Sequence, residues 1–221
     1  QLASSTQPFP VRNVTDRTSN PFDFQPPCER FVPGYGDANA DFHVIGDHPG
    51  IHGGVDTGVP FTETASAETL QSTLQATGLL DTTGDQPTVN STYFSYLHLC
   101  VSPTDSGPTD REYTELEPFF DAELRAIAAH VLLPVGERAT RHVFETCTAR
   151  SWTPATEMTD LHATEVRGSG WLVMPVAEPA DWGPDDGDAL KTALDRLQAT
   201  DFRRESDLGR FIAGSDPYYV R

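Results

Sequence analysis

The sequence predicts an α/β fold, a parallel sheet with helices on both faces, because strand-like and helix-like segments alternate along the chain. Four short apolar runs, residues 42–45, 93–99, 130–135 and 171–176, are separated by loops and helical patterns. Apolar and aromatic residues follow one another within each run, which suits strands buried on both faces. No second hydrophobic pattern demands another domain in 221 residues, so one domain with tails is expected.

Taken in order, residues 1–27 are polar and proline-bearing and read as an extended N-terminal arm. The domain is expected over residues 28–200, and 201–221 as a C-terminal tail. The first strand, 42–45, stops at Gly46, and a Gly/His/Asp-rich loop follows to Thr64. Loops at the carboxyl ends of parallel strands are where α/β proteins bind ligands. Gly46, Gly50, Gly53 and Gly54 let backbone approach a ligand closely, so this loop is the first site candidate. Leu70 and Leu74, with a stop at Gly78, mark a helix over 65–77. The second strand, 93–99, leads to Thr109-Asp-Arg-Glu112, a capping box that starts a helix running to about Ala129. The third strand, 130–135, is followed by a helix over 136–146. The fourth, 171–176, precedes an acidic loop and a last helix over 188–199, with Ala189, Leu190, Ala193, Leu194 and Leu197 on one side.

Net charge is -18, from 33 acidic and 15 basic residues, and Lys191 is the only lysine. Dispersed acidity with so little lysine fits a salt-rich cytoplasm, where charge repulsion is screened over a few ångströms. No apolar run approaches the roughly 20 residues that span a bilayer, and the N-terminal segment has no signal-like apolar core. A soluble, cytoplasmic protein without membrane contact is therefore expected. Cys28, Cys100 and Cys147 form neither an evident disulfide framework nor a metal knuckle. The charge leaves any DNA contact to shape, stacking and local arginines: Arg138, Arg141 and Arg150, or Arg203, Arg204 and Arg210.

A set of motifs over residues 28–197 then carries a resemblance. They are Val32-Pro-Gly-Tyr-Gly-Asp37, Ala40-Asp-Phe-His-Val-Ile-Gly-Asp-His-Pro-Gly50 and Thr57-Gly-Val-Pro-Phe-Thr62, with His52-Gly-Gly54 between. Residues 96–103, Pro108-Thr109, Glu117-Pro-Phe-Phe-Asp-Ala-Glu-Leu124 and Val131-Leu-Leu-Pro-Val-Gly-Glu-Arg-Ala139 follow in order. In this order the pieces resemble the uracil-DNA glycosylase superfamily, particularly families 4 and 5, in a haloarchaeal, divergent form. The resemblance implies a three-layer α/β/α fold with a four-stranded parallel sheet. It also implies a partner, DNA containing uracil or another damaged base, with the base extruded and its N-glycosidic bond hydrolysed. A monomer is expected.

On that template Phe61 is the platform under a pyrimidine. Asp47 aligns water or stabilises the sugar cation, and His48 stands where the best-known family has its catalytic acid. Gly46, Pro49 and Gly50 line the same loop, and Ser95 falls near the position where an asparagine reads the base. The strand-end His-Pro-Ser motif becomes Glu178-Pro179-Ala180. An ionised carboxylate there cannot donate to a departing base and repels an anionic one. Family 4 carries a four-iron cluster on four cysteines. Cys28 and Cys100 are its possible equivalents here, but Leu116 stands at the last ligand, so no cofactor is expected. In the DNA-probing loop Trp182 is a candidate wedge among Asp181, Asp185, Asp186 and Asp188.

Three readings follow: a DNA glycosylase using Asp47, His48 and Glu178; a superfamily member that binds a nucleobase or nucleic acid without efficient cleavage; and a zinc hydrolase built on His48, His52 and Asp47 or Asp56. The third lacks the helix that usually fixes such a spacing, and no metal is expected.

Overall fold

The computed structural model describes residues 26–102, 107–153 and 155–211. In chain order its elements are β1 (Tyr35–Gly36), β2 (Phe42–Gly46), α1 (Pro49–His52), α2 (Ala65–Ala76), β3 (Thr92–Tyr96), α3 (Asp110–Ile127) and β4 (Val131–Pro134). Then come α4 (Gly136–Cys147), α5 (Met158–Leu161), β5 (Val166–Arg167), β6 (Leu172–Val173), α6 (Asp186–Gln198) and α7 (Phe202–Phe211). The sheet runs β1-β3-β2-β4-β6-β5. Its inner four strands are parallel, as expected, while β1 and β5 pair antiparallel at the edges and make the sheet mixed and six-stranded. Each edge strand has two residues, too few to show a period.

Alternation along the strands divides the core into two layers. Phe42, Val44, Phe94, Tyr96, Val131 and Leu133 face one way and pack with Leu70 and Leu74 of α2 and Leu190 and Leu194 of α6. Ile45, Leu132 and Val173 face the other way, toward Phe120 and Leu124 of α3 and Val143 and Phe144 of α4. The capping box of Thr109 and Glu112 is formed at the start of α3. Among the described residues no helix is long and apolar enough to cross a membrane.

The expectation for the cysteines is corrected. Cys28 and Cys100 form a disulfide, with Cα atoms 6.0 Å apart and a sequence separation of 72. The spacing gave no hint of it, because the β-bridge between Phe31 and Cys100 brings the two segments together. Closing so long a loop restricts the unfolded chain, so Cys28→Ala is expected to lower stability by about 2–4 kcal/mol. Denaturant titration of the variant beside the oxidised and reduced parent checks this. A parent insensitive to reductant would contradict it.

His43 is fully buried in the second layer, its Nε2 2.7 Å from Ser95 Oγ. Burial pushes its pKa down to about 3 from 6.5. Between those values the unfolded chain binds a proton that the folded chain refuses, so stability rises with pH through this window and is complete above about 6.5. Burial lowers His48, His98 and His142 in the same direction. Denaturant midpoints are therefore expected to fall from pH 7 to pH 4, His43 contributing on the order of a few kcal/mol. His43→Gln, which keeps a partner for Ser95, should flatten the slope; an undiminished slope would assign the acid sensitivity elsewhere.

The segment expected as a tail from residue 201 begins with α7. Its Phe202 ring packs 5.3 Å from Phe42, and both nitrogens of the Arg203 fork donate to Asp41, with Nε to Oδ1 at 2.7 Å. Asp41 precedes β2, so Arg203 is fixed at the amino end of the strands. The expected arm falls outside the described residues, apart from residues 26 and 27.

Candidate active site

At the carboxyl end of β2 the chain turns sharply into α1. His48 caps this short helix, Nδ1 accepting from Gly50 N–H at 3.1 Å, and Pro49 occupies its first turn. Pro is suited there because its nitrogen has no hydrogen to leave unpaired. The turn closes at Gly53 with φ 82°, a left-handed conformation in which Gly carries no Cβ penalty. It also brings His52 back over Gly46. A Cβ on Gly46 would lie 2.7 Å from the Phe61 ring and 2.8 Å from both His52 and Tyr96, so the position admits glycine alone.

His52 packs on the aromatic floor, its ring tilted by 38° to that of Phe61. Its ring centre is 5.2 Å from that of Phe61 and 6.0 Å from that of Tyr96, to which it is tilted by 23°. Nδ1 accepts from Asp47 N–H at 3.1 Å, and Nε2 is 2.9 Å from Glu178 Oε2. With Nδ1 an acceptor, the ring proton is on Nε2, which donates to the Glu178 carboxylate. The second Glu178 oxygen, Oε1, is buried without a hydrogen-bond partner among the described residues. Phe61 is covered by His52 and only 1% exposed. It has φ 59°, and its N–H donates to Tyr96 Oη, which in turn donates to Gly53 O.

Asp47 faces the open side. Oδ1 accepts a hydrogen bond from Tyr113 Oη, and burial with the neighbouring Asp47 carboxylate pushes the phenol pKa up, so Tyr113 stays a donor. The Arg138 guanidinium lies 4.2 Å above the Tyr113 ring and reaches Asp110 at 3.2 Å. Asp47, Ile51, His52, Arg138, Arg141 and Glu178 line a cleft of about 320 Å³. Three carboxylates, Asp47, Glu137 and Glu178, thus line one cleft with two arginines, and His52 at its back packs on Phe61.

Of the residues expected at the site, Gly46, Asp47, Phe61 and Glu178 come together, and Pro49 and Gly50 build the turn beside them. His48 is 8% exposed and turned toward Gly107, whose Cβ position would be 3.4 Å from His48 Nε2. Burial holds its imidazole below its ordinary pKa. Ser95 is not part of this group. It is buried against His43, in the other layer. Side chains alternate along β3, and it is Tyr96 that shares a face with Phe61. Tyr96 and Tyr113 were missed; the period-two pattern of β3 would have favoured Tyr96, whereas nothing local marks Tyr113, a residue of α3.

The zinc reading at His48 and His52 gains no support: both Nδ1 atoms accept backbone N–H groups, and no cluster of three or more ligating side chains exists among the described residues. A four-iron cluster does not fit either. Cys28 and Cys100 are bonded to each other, Leu116 and Phe119 pack on Cys100, and Cys147 is buried in the other layer. Trp182 does not project as a wedge, since its indole donates to Ala177 O at 2.9 Å and packs on His162.

Fold and site define an α/β protein whose cleft opens at the carboxyl ends of parallel strands, above a cluster of packed aromatic rings. A model of the uracil DNA glycosylase superfamily matches residues 33–198, and the chain belongs to that superfamily. It is 33% identical over 121 residues to a type-5 uracil-DNA glycosylase of Pyrobaculum aerophilum, covering 52% of this chain and 53% of the relative. A type-4 uracil-DNA glycosylase of Saccharolobus solfataricus is 22% identical over 149 residues, 67% of this chain and 65% of the relative. A type-5 enzyme of Mycobacterium leprae is 26% identical over 111 residues, 48% of each. The chain thus spans about half to two thirds of the length of these relatives.

Proposed function

We propose that this chain is a DNA glycosylase that hydrolyses the N-glycosidic bond of uracil or a related damaged base extruded from DNA, working in a salt-rich cytoplasm. The observation that carries the reading is the Asp47 carboxylate, held by Tyr113 at a cleft lined also by His52, which packs on Phe61. Extrusion of a base costs a few kcal/mol. Stacking over Phe61, in the place His52 now takes, would offset part of that cost. As the bond to the base stretches, positive charge grows on the sugar, and a fixed carboxylate beside it lowers the barrier. The same carboxylate orients the attacking water. Arg138 and Arg141 supply positive charge on an otherwise acidic surface, where the flanking phosphates would run.

A second reading, binding of a nucleobase or nucleic acid without efficient cleavage, draws support from His52 lying over Phe61 and from Glu178 facing the base position. The two separate in one experiment: purified protein at molar salt is incubated with single- and double-stranded oligonucleotides carrying one uracil or another damaged base. Abasic product that disappears in Asp47→Asn supports hydrolysis. Retention of the oligonucleotide with no product from any base supports the second reading.

A further inference from the structure

Resting on the glycosylase reading, we infer that the pocket is built for a base that departs without negative charge, the class formed by purines alkylated on N7 or N3. His52 shows what the pocket accepts. It is a planar heteroaromatic ring packed on Phe61 at a tilt of 38° that turns an acceptor to Asp47 N–H and a donor to Glu178. A base that displaces it must present the same pair. The carbonyl and adjacent N–H of guanine's O6–N1 edge do so, and the cleft of about 320 Å³ beside His52 leaves room for a second ring. The carbonyl and imide N–H of uracil also repeat the pair, so hydrogen bonding does not separate the two.

Charge separates them. Uracil leaves as an anion, and the group facing it is a carboxylate that already has one buried oxygen unpartnered. Of the two arginines that line the cleft, Arg138 is turned to Asp110 and the Tyr113 ring, both stand where the flanking phosphates would run, and Glu137 adds a further acid. Low-dielectric surroundings enlarge the repulsion between Glu178 and a uracil anion. A base alkylated on N7 reverses the sign, because it is cationic in DNA. When C1′–N9 breaks, the electron pair stays on N9 and cancels the ring's positive charge. The oxygen of water bonds to C1′, and its proton passes to Asp47 and on to solvent. The products are an abasic site, a neutral alkylated base and a proton. Glu178 attracts the cationic base in the bound state and accepts its N–H, which secures it in the pocket. That attraction fades as the ring's charge passes to the sugar, so the carboxylate favours entry of the base rather than its exit, and it adds none of the repulsion that it exerts on a uracil anion.

The test measures free base released at neutral pH from duplexes carrying one N7-methylguanine or one uracil, under single turnover with enzyme in excess but below saturation, so that the rate includes capture of the base, and above the spontaneous rate of a protein-free blank. Chromatography of the released base avoids alkali, which itself opens methylated guanine. The parent is expected to release methylguanine at least tenfold faster than uracil. Glu178→Gln, close in shape and checked for an unchanged melting temperature, should lose at least tenfold on methylguanine and not on uracil. Glu178→His should gain on uracil. Uracil released as fast as methylguanine or faster, or a Glu178→Gln variant that loses equally on both, overturns the charge assignment and leaves the glycosylase reading standing. Release of neither base overturns that reading as well.

Discussion

Asp47→Asn is expected to slow base release by about two to three orders of magnitude, the usual cost of removing one preorganised electrostatic group from a transition state. The amide has the shape of the carboxylate, and its oxygen still accepts from Tyr113 Oη, so packing and cleft geometry are kept. What disappears is the negative charge that would face the sugar cation and take the proton of water. Tyr113→Phe should cost less, about tenfold, because the carboxylate keeps its charge and loses only the hydrogen bond that aims it. Single-turnover release from the preferred damaged duplex checks both. Equal rates for the parent and Asp47→Asn would sink this assignment.

Phe61→Ala carries the largest expected effect on stability, about 3–5 kcal/mol, the range for removing a buried aromatic ring. The ring is 1% exposed and touches three others, with centres 5.2 Å away at His52, 5.5 Å at Phe94 and 5.4 Å at Tyr96. Those neighbours are fixed by their own hydrogen bonds, Tyr96 to Gly53 O and His52 to Asp47 N and Glu178. The gap left by truncation therefore cannot close fully. Phe61→Leu, which retains most of the volume, should cost about half as much or less. Denaturant unfolding at fixed salt measures both, and a loss below about 1 kcal/mol for the alanine variant would mean that the ring is not a packed part of the core. If the floor of the site and the core are one structure, the same variant also loses binding of damaged DNA.

The inner strands and long helices were legible because each has enough residues to repeat its pattern. Thr109 and Glu112 announced the start of α3, and Leu70, Leu74, Leu190 and Leu194 announced the inward faces of α2 and α6. The two-residue edge strands gave no period to read, and α1 was hidden in a loop because Pro49 and Gly50 look like turn residues as much as a helix start. At the site, Asp47, Phe61 and Glu178 were found through motif order. Ser95 lies in the other layer against His43, because neighbouring residues in a strand point to opposite faces. Neither the Cys28–Cys100 bond nor the contact of Tyr113 with Asp47 has a local signature, since each joins segments more than 60 residues apart.

The sequence by itself determined the class of fold, the superfamily motifs and the exchange of a donor for an acid at Glu178, because these depend on residue type, period and order along the chain. Tertiary structure decided how the site is filled and charged. It laid His52 on Phe61, between Asp47 N–H and Glu178, and buried one oxygen of Glu178 without a hydrogen-bond partner among the described residues. Those facts rest on distances and directions between residues as far apart as 52 and 178, which hydrophobic pattern does not encode.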